Sequence, residues 1–157
     1  MGSRSKTDLA YIAGFLDGDG SLMMQIKKRN DSKKGIRFML TICLYQDSRH
    51  EEPLFWIRDK FGIGYISKRN DHITELRING FKRVQKILLD LLPFLKFKKV
   101  QAQTIIDSAE ILQTKGMLSR QHRKKLANNM LKIQGENYAS RRKKNRKEIY
   151  KLLDLTP

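Results

Sequence analysis

Two carboxylates stand close together near the start of the chain: Asp17 and Asp19, in the run Leu9-Ala10-Tyr11-Ile12-Ala13-Gly14-Phe15-Leu16-Asp17-Gly18-Asp19-Gly20. Leu9, Ile12, Ala13 and Leu16 form a helical stripe ahead of them, so both acids fall at the C-terminal end of a helix, where the macrodipole disfavours negative charge. Acids placed there against electrostatics, in a chain with 33 Lys+Arg against 16 Asp+Glu, point to a bound cation. Taken alone, Asp17 to Gly20 also suits a turn. A calcium loop does not fit, because counting from Asp17 puts Leu22 at the required glycine and Lys28 at the required bidentate glutamate. An Asp-x-Asp site for a nucleotide sugar lacks the βαβ series that would cradle the nucleotide.

The same helix breaks a second local rule. Ala10, Gly14 and Gly18 recur at i, i+4 and i+8, leaving one face almost without side chains. A glycine inside a helix costs roughly 1 kcal/mol against alanine. The usual compensation is a second backbone approaching closely, so tight packing against another helix is expected, with Ala10, Ala13, Gly14 and Asp17 at the contact.

The elements that must position these residues follow from periodicity. A helix is expected over 7–17, with Thr7 as N-cap and Gly18 and Gly20 ending it. Residues 21–29 and 36–46 alternate as strands around a loop at 30–35, with Ile36, Phe38, Leu40, Ile42 and Leu44 on one face. Pro53 opens a short helix that stops at Gly62. A second hairpin, 63–69 and 73–79, surrounds Asn70-Asp71-His72. Helices are expected over 81–92, 99–114 and 119–134, separated by Pro93, Gly116 and Gly135. A last helix over 146–154 has Asn145 and Glu148 as a capping box. The order αββαββ followed by helices predicts an α+β domain: a four-stranded antiparallel sheet with helices on one face. The expected organisation is a single domain over 1–157, with a core near 7–114 and C-terminal helices over 119–157.

The other sheet face is left open, and parity names its residues: Gln25, Lys27, Arg29, Arg37, Met39, Thr41, Cys43, Tyr65, Ser67, Arg69, Glu75 and Arg77. Arg, Lys, Gln and Glu are the side chains that read base edges in a major groove. A net charge of +17 usually has a polyanion to meet, and nucleic acid fits best because neutralising phosphates releases counterions, with an adaptation for solubility or heat as the alternative. No apolar run approaches the roughly 18 residues of a membrane span, and no segment has the form of a membrane-surface helix, so neither a membrane nor a small-molecule substrate is expected. The single cysteine, Cys43, suits a reducing intracellular compartment, whether an archaeal or bacterial cytoplasm or an organelle. Ser140, Arg141, Arg142 and Lys143 open a run with six basic residues in eight, a candidate phosphate-contacting loop near 138–147.

Leu9 through Gly20 resembles the eponymous motif of the LAGLIDADG homing endonucleases. The likeness continues through Gly62-Ile63-Gly64-Tyr65 and Pro93-Phe94-Leu95-Lys96-Phe97-Lys98-Lys99-Val100-Gln101-Ala102. With one motif and no internal repeat, the chain is most similar to the single-motif, intron-encoded members. The resemblance implies an αββαββα fold, a homodimer joined through the motif helices, and a long near-palindromic DNA target cut on both strands to leave short 3′ overhangs. It implies magnesium, replaceable by other divalent ions, held by Asp19 and by the carbonyl of Gly18. Lys98 then matches a basic residue beside the scissile phosphate and Gln46 a polar residue that organises water. His50 stands where close relatives carry arginine. A non-cutting relative, an intron maturase or a DNA-binding regulator, shares this scaffold. A generic RNA-binding protein would explain the charge but not the glycine-faced helix.

Overall fold

The computed structural model describes residues 4–29, 35–137 and 143–155. Helix α1, Lys6–Asp19, leads into β1, Gly20–Lys28, and β2, Ile36–Asp47; α2, Glu52–Phe61, precedes β3, Tyr65–Lys68, and β4, Ile73–Asn79. Four helices follow: α3, Phe81–Leu91; α4, Lys99–Leu112; α5, Arg120–Glu136; and α6, Arg146–Leu152. The strands lie in the order β1-β2-β4-β3 with every neighbour antiparallel. The two hairpins are thus joined through β2 and β4, and the expected α+β architecture holds.

Alternation explains the layering. Leu22, Met24 and Ile26 of β1, Phe38 to Leu44 on even positions of β2, and Leu76 and Ile78 of β4 are all buried in one core. Against them pack Ile12, Ala13 and Leu16 of α1, Leu54 and Ile57 of α2, Val84, Ile87 and Leu88 of α3, and Ala102, Ile105 and Ile106 of α4. Odd positions face away from the helices.

β3 is shorter than the expected 63–69 and α6 ends before the expected 154, and three local signals act differently from the sequence expectation. Ser5 caps α1, its Oγ accepting from the Asp8 N–H at 3.1 Å, so Thr7 lies inside the helix. Neither Gly18 nor Gly135 breaks a helix: α1 continues to Asp19 and α5 to Glu136. Helical hydrogen bonding on either side outweighs a glycine cost of about 1 kcal/mol. Other signals act as read: Gly62 closes α2 at φ 67°, and Asn145 with Glu148 forms the capping box of α6.

Asp17 joins the layers. Its carboxylate accepts from the backbone N–H of Lys96 at 2.6 Å and of Lys98 at 3.0 Å, and the Lys98 ammonium donates to the Asp17 carbonyl at 2.6 Å. The end of α1 is thereby fastened to the segment that enters α4. Ser5 and the ion pairs Asp8–Lys60 at 2.9 Å and Arg4–Asp90 at 3.2 Å fix the other end.

An Asp17→Asn substitution keeps one acceptor but sets an amide NH2 against an N–H. Hydrogen bonds to a charged group contribute about 1.5–3 kcal/mol each, so the variant should lose about 2–4 kcal/mol. Urea unfolding monitored by circular dichroism checks this, with an unchanged midpoint as the contrary result.

Candidate functional site

The carboxylate that closes α1, Asp19, is exposed, whereas Asp17 two residues earlier is buried. Between and after them come Gly18 and Gly20, and both line a cleft of about 660 Å³. Asp17, Ser21, Met23, Tyr45, Phe97, Lys98, Gln101, Glu136 and Asn137 complete its wall. The electrostatic conflict inferred from the sequence is thus divided. Asp17 is compensated within the chain by two N–H donors, and the Lys98 ammonium stands at the negative end of the helix, where a cation is favoured. Asp19 has no such partner among the described residues.

The cleft wall therefore holds Gly18 and Lys98, and Asp19 stands between the wall residues Gly18 and Gly20 without itself lining the cleft. Gln46 and His50 are not part of the wall either. Gln46 is half-buried one residue before the end of β2, its Oε1 accepting from the Asp47 N–H at 2.9 Å. His50 is exposed in the turn Ser48–His50, beside an Asp47 whose carboxyl Arg49 holds far below the usual carboxylate range. No cluster of three or more His, Cys, Asp or Glu capable of holding a metal occurs among the described residues. A divalent ion here would find one carboxylate, Asp19, and a carbonyl such as that of Gly18, whose position in the last turn leaves it without an intrahelical partner. A magnesium ion, which retains water and accepts phosphate oxygens, is suited to so sparse a donor set.

The bare face of α1 is real, but its membership changes. Ala10 and Gly14 are exposed, and a Cβ built on Gly14 or Gly18 meets nothing within 4 Å. Ala13 and Asp17, expected at the same contact, are buried inside the chain: Ala13 packs in the core and Asp17 is used by Lys96 and Lys98. Tyr11, 54% exposed, and Phe97, 80% exposed, flank the stripe. Tyr11 meets Trp56 edge-on with ring centres 5.6 Å apart.

Register orders the outward sheet face into rows: Lys27–Arg37, Gln25–Met39, Met23–Thr41–Asn79, Ser21–Cys43–Arg77–Tyr65, and Tyr45–Glu75–Ser67. Lys27, Arg29, Arg37, Tyr65 and Arg69 are exposed, and Gln25, Met39, Ser67 and Arg77 partly so. Three expected contact residues are not available. Thr41 and Cys43 are fully buried, because central strand β2 has neighbours on both sides; the Thr41 hydroxyl donates to Asn79 Oδ1 at 2.6 Å, and burial pushes the Cys43 thiol up. Glu75 is 5% exposed beneath Arg69 and Arg77, which donate to it at 3.1 and 2.8 Å. Tyr45 faces outward as the alternation of 36–46 implies, and Ser21, Met23 and Asn79 also belong to the face, at alternate positions inside the strands as read, although they were not among the expected contacts.

Of the basic run, Ser140, Arg141 and Arg142 lie outside the described residues. Lys143 is exposed, next to Lys144, whose backbone N–H and carbonyl are both bound by the Gln134 side chain at 3.0 and 2.9 Å.

DNA endonuclease I-CreI of Chlamydomonas reinhardtii is 33% identical over 108 residues, 69% of this chain and 66% of that protein. DNA endonuclease I-CvuI of Chlorella vulgaris is 32% identical over 97 residues, 62% and 60% respectively. The matched region thus spans slightly less than two thirds of the length of these curated relatives. Among solved structures, I-CvuI in complex with the I-CreI target in 2 mM Mg superposes with a TM-score of 0.84 at 24% identity, over 95% of this chain and 94% of that one. The archaeal intron-encoded homing endonuclease I-Vdi141I complexed with DNA gives 0.79 at 22%, over 94% and 95%. These structural likenesses carry the fold. The family model for LAGLIDADG endonuclease matches residues 12–112, well over half of the sequence, and with it the motif helix, both hairpins and the Lys98 segment. The chain belongs to the LAGLIDADG endonuclease family.

Proposed function

We propose that this protein is a site-specific homing endonuclease that acts as a homodimer on a long, near-palindromic double-stranded DNA target. One observation carries the reading: the bare stripe of α1 ends in an uncompensated carboxylate, Asp19, beside a cleft that also presents Lys98. Pairing two copies through Ala10, Gly14 and Gly18 would bring two such carboxylates together and set two basic sheet faces in line. A C2 arrangement of this kind asks for a target with matching two-fold symmetry.

Asp19 and the Gly18 carbonyl would hold magnesium, for which other divalent ions substitute. The bound ion supplies stabilisation of charge on the phosphoryl oxygens and activation of water. The chain's own residues do the rest. The Lys98 ammonium spends one hydrogen on the Asp17 carbonyl and keeps two for phosphate oxygens. Asp17 positions Lys98 by binding its backbone N–H. Gln46 and His50 are assigned the ordering of water, and Lys27, Arg29, Arg37 and the loop near 138–147 the contacts to the DNA backbone, in one domain over 1–157. Cuts on both strands leave short 3′ overhangs. No helix among the described residues is long and apolar enough to cross a membrane, and we place the protein inside the cell.

Two outcomes test this. Asp19→Asn should bind the target with nearly unchanged affinity while cleavage in magnesium falls by roughly a hundredfold or more. Full cleavage by that variant would overturn the metal assignment. Specific binding without cutting by the intact protein would instead favour the maturase or regulator reading. Gly14→Leu fills space that is empty in one chain, so the circular dichroism spectrum should be unchanged. Sedimentation should then show a monomer where the parent chain is a dimer, and a dimeric variant would refute helix-to-helix pairing.

A further inference from the structure

Two arginines on the outward sheet face converge on one acid, and they are held differently. Arg69 gives one terminal nitrogen to Glu75 at 3.1 Å and the other to Asp71 at 2.6 Å, so both tips of its fork are occupied. Arg77 is bound through Nε alone, at 2.8 Å to Glu75 Oε2. Its two terminal nitrogens make no hydrogen bond to another described residue. The Arg77 side chain is 30% exposed, in the row between Cys43 and Tyr65. Glu75, nearly buried, stands beneath both guanidinium groups.

Charge accounting makes this cluster unusual. Arg69, Arg77, Glu75 and Asp71 sum to zero, in a chain whose net charge is +17. A patch serving only to neutralise phosphates would keep its charge, since the counterion gain scales with the cations delivered. Two acids set against two arginines sacrifice that gain, and what they supply in return is orientation: a guanidinium clamped at Nε has its remaining edge fixed in direction. That edge carries two parallel N–H donors, the pattern that matches guanine O6 and N7 in the major groove.

We propose that Arg77 is the base-reading residue of this cluster and selects a guanine at one position of each DNA half-site. Glu75 is a positioning residue that aims it and makes no base contact of its own. Arg69, with both tips engaged, braces the carboxylate from the opposite side. The assignment rests on the sheet face being the DNA-binding surface, as proposed above, but not on cleavage.

Binding selection from a duplex library randomised across both half-sites, with calcium in place of magnesium, tests it using the intact protein, Arg77→Ala and Glu75→Gln. Glu75 keeps Arg69 as partner in the first variant, so its fold is retained. The intact protein should select guanine at a symmetric pair of positions. Arg77→Ala should lose that preference by about tenfold to a hundredfold while other positions keep theirs. Glu75→Gln should weaken the preference at the same positions and no others, a locality that general destabilisation would not produce. Retention of every guanine preference by Arg77→Ala would overturn the proposal. So would a uniform loss of affinity over all sequences with a salt slope lower by about one, the mark of a phosphate contact. Failure of the intact protein to prefer any sequence would overturn both this proposal and the reading of the sheet face, and is seen in the parent chain alone. Should Glu75→Gln not fold, Arg77→Ala still decides whether Arg77 reads the base.

Discussion

The Asp17 carboxylate ties together the two segments that carry Asp19 and Lys98. It accepts two backbone N–H groups from a segment about eighty residues away, and the Lys98 side chain returns to the carbonyl of Asp17 itself. Three hydrogen bonds therefore fix the end of α1, the start of β1 and the entry to α4 relative to one another. Together with the core packing of Ile12 and Leu16 against the sheet and α4, that joint holds Asp19 and Lys98 at a defined separation. Asp17 and Asp19, the same residue type two positions apart, thus serve different ends. One is consumed in joining two segments, and the other has no partner among the described residues.

The helix carrying them is subject to opposite demands on its two faces. Ile12, Ala13 and Leu16 are buried in the core of their own chain, while Ala10, Gly14 and Gly18 look onto empty space. Two helix glycines cost roughly 1 kcal/mol each, and among the described residues no side chain of this chain packs against the face they leave bare. Strong anchoring at both ends, by Ser5 and the Asp8–Lys60 pair on one side and the Asp17 bonds on the other, allows a helix of poor propensity to persist through Gly18. The bare face is thus held in helical form by interactions that lie elsewhere.

How much of this is legible in the sequence depends on how local the determinant is. Periodicity places nearly every element, and parity separates the two sheet faces, because both are properties of a few consecutive residues. Parity does not reveal which outward residues are covered. Thr41 and Cys43 alternate as surface residues should, yet β2 becomes a central strand only through pairing with β4, more than thirty residues on. Ala13 is misplaced for the converse reason: being small, it suits either the bare face or the core, and only its neighbours decide. The partners of Asp17 are illegible because they are backbone groups, which every residue possesses. Glu75 reads as a possible base contact until its burial beneath two arginines is seen.

The charge of +17 acquires structure from these pairings. Several of the sixteen acids are spent against specific cations: Asp8 on Lys60, Glu51 on Lys68, Asp47 on Arg49, and Glu75 with Asp71 on Arg69 and Arg77. Lys27 and Arg37, by contrast, face each other across one row as like charges, an arrangement that destabilises a free sheet. Arg69 and Arg77 are thus neutralised at one end of the face, while at the other Lys27 and Arg37 repel each other with no ion pair of their own among the described residues. If the face binds DNA as proposed, approaching phosphates would relieve that repulsion, and this end would supply affinity without regard to sequence. The neutralised end would gain little from phosphate and would instead hold its donors in fixed directions. Discrimination between bases would then belong to the part of the face where the charge has been cancelled.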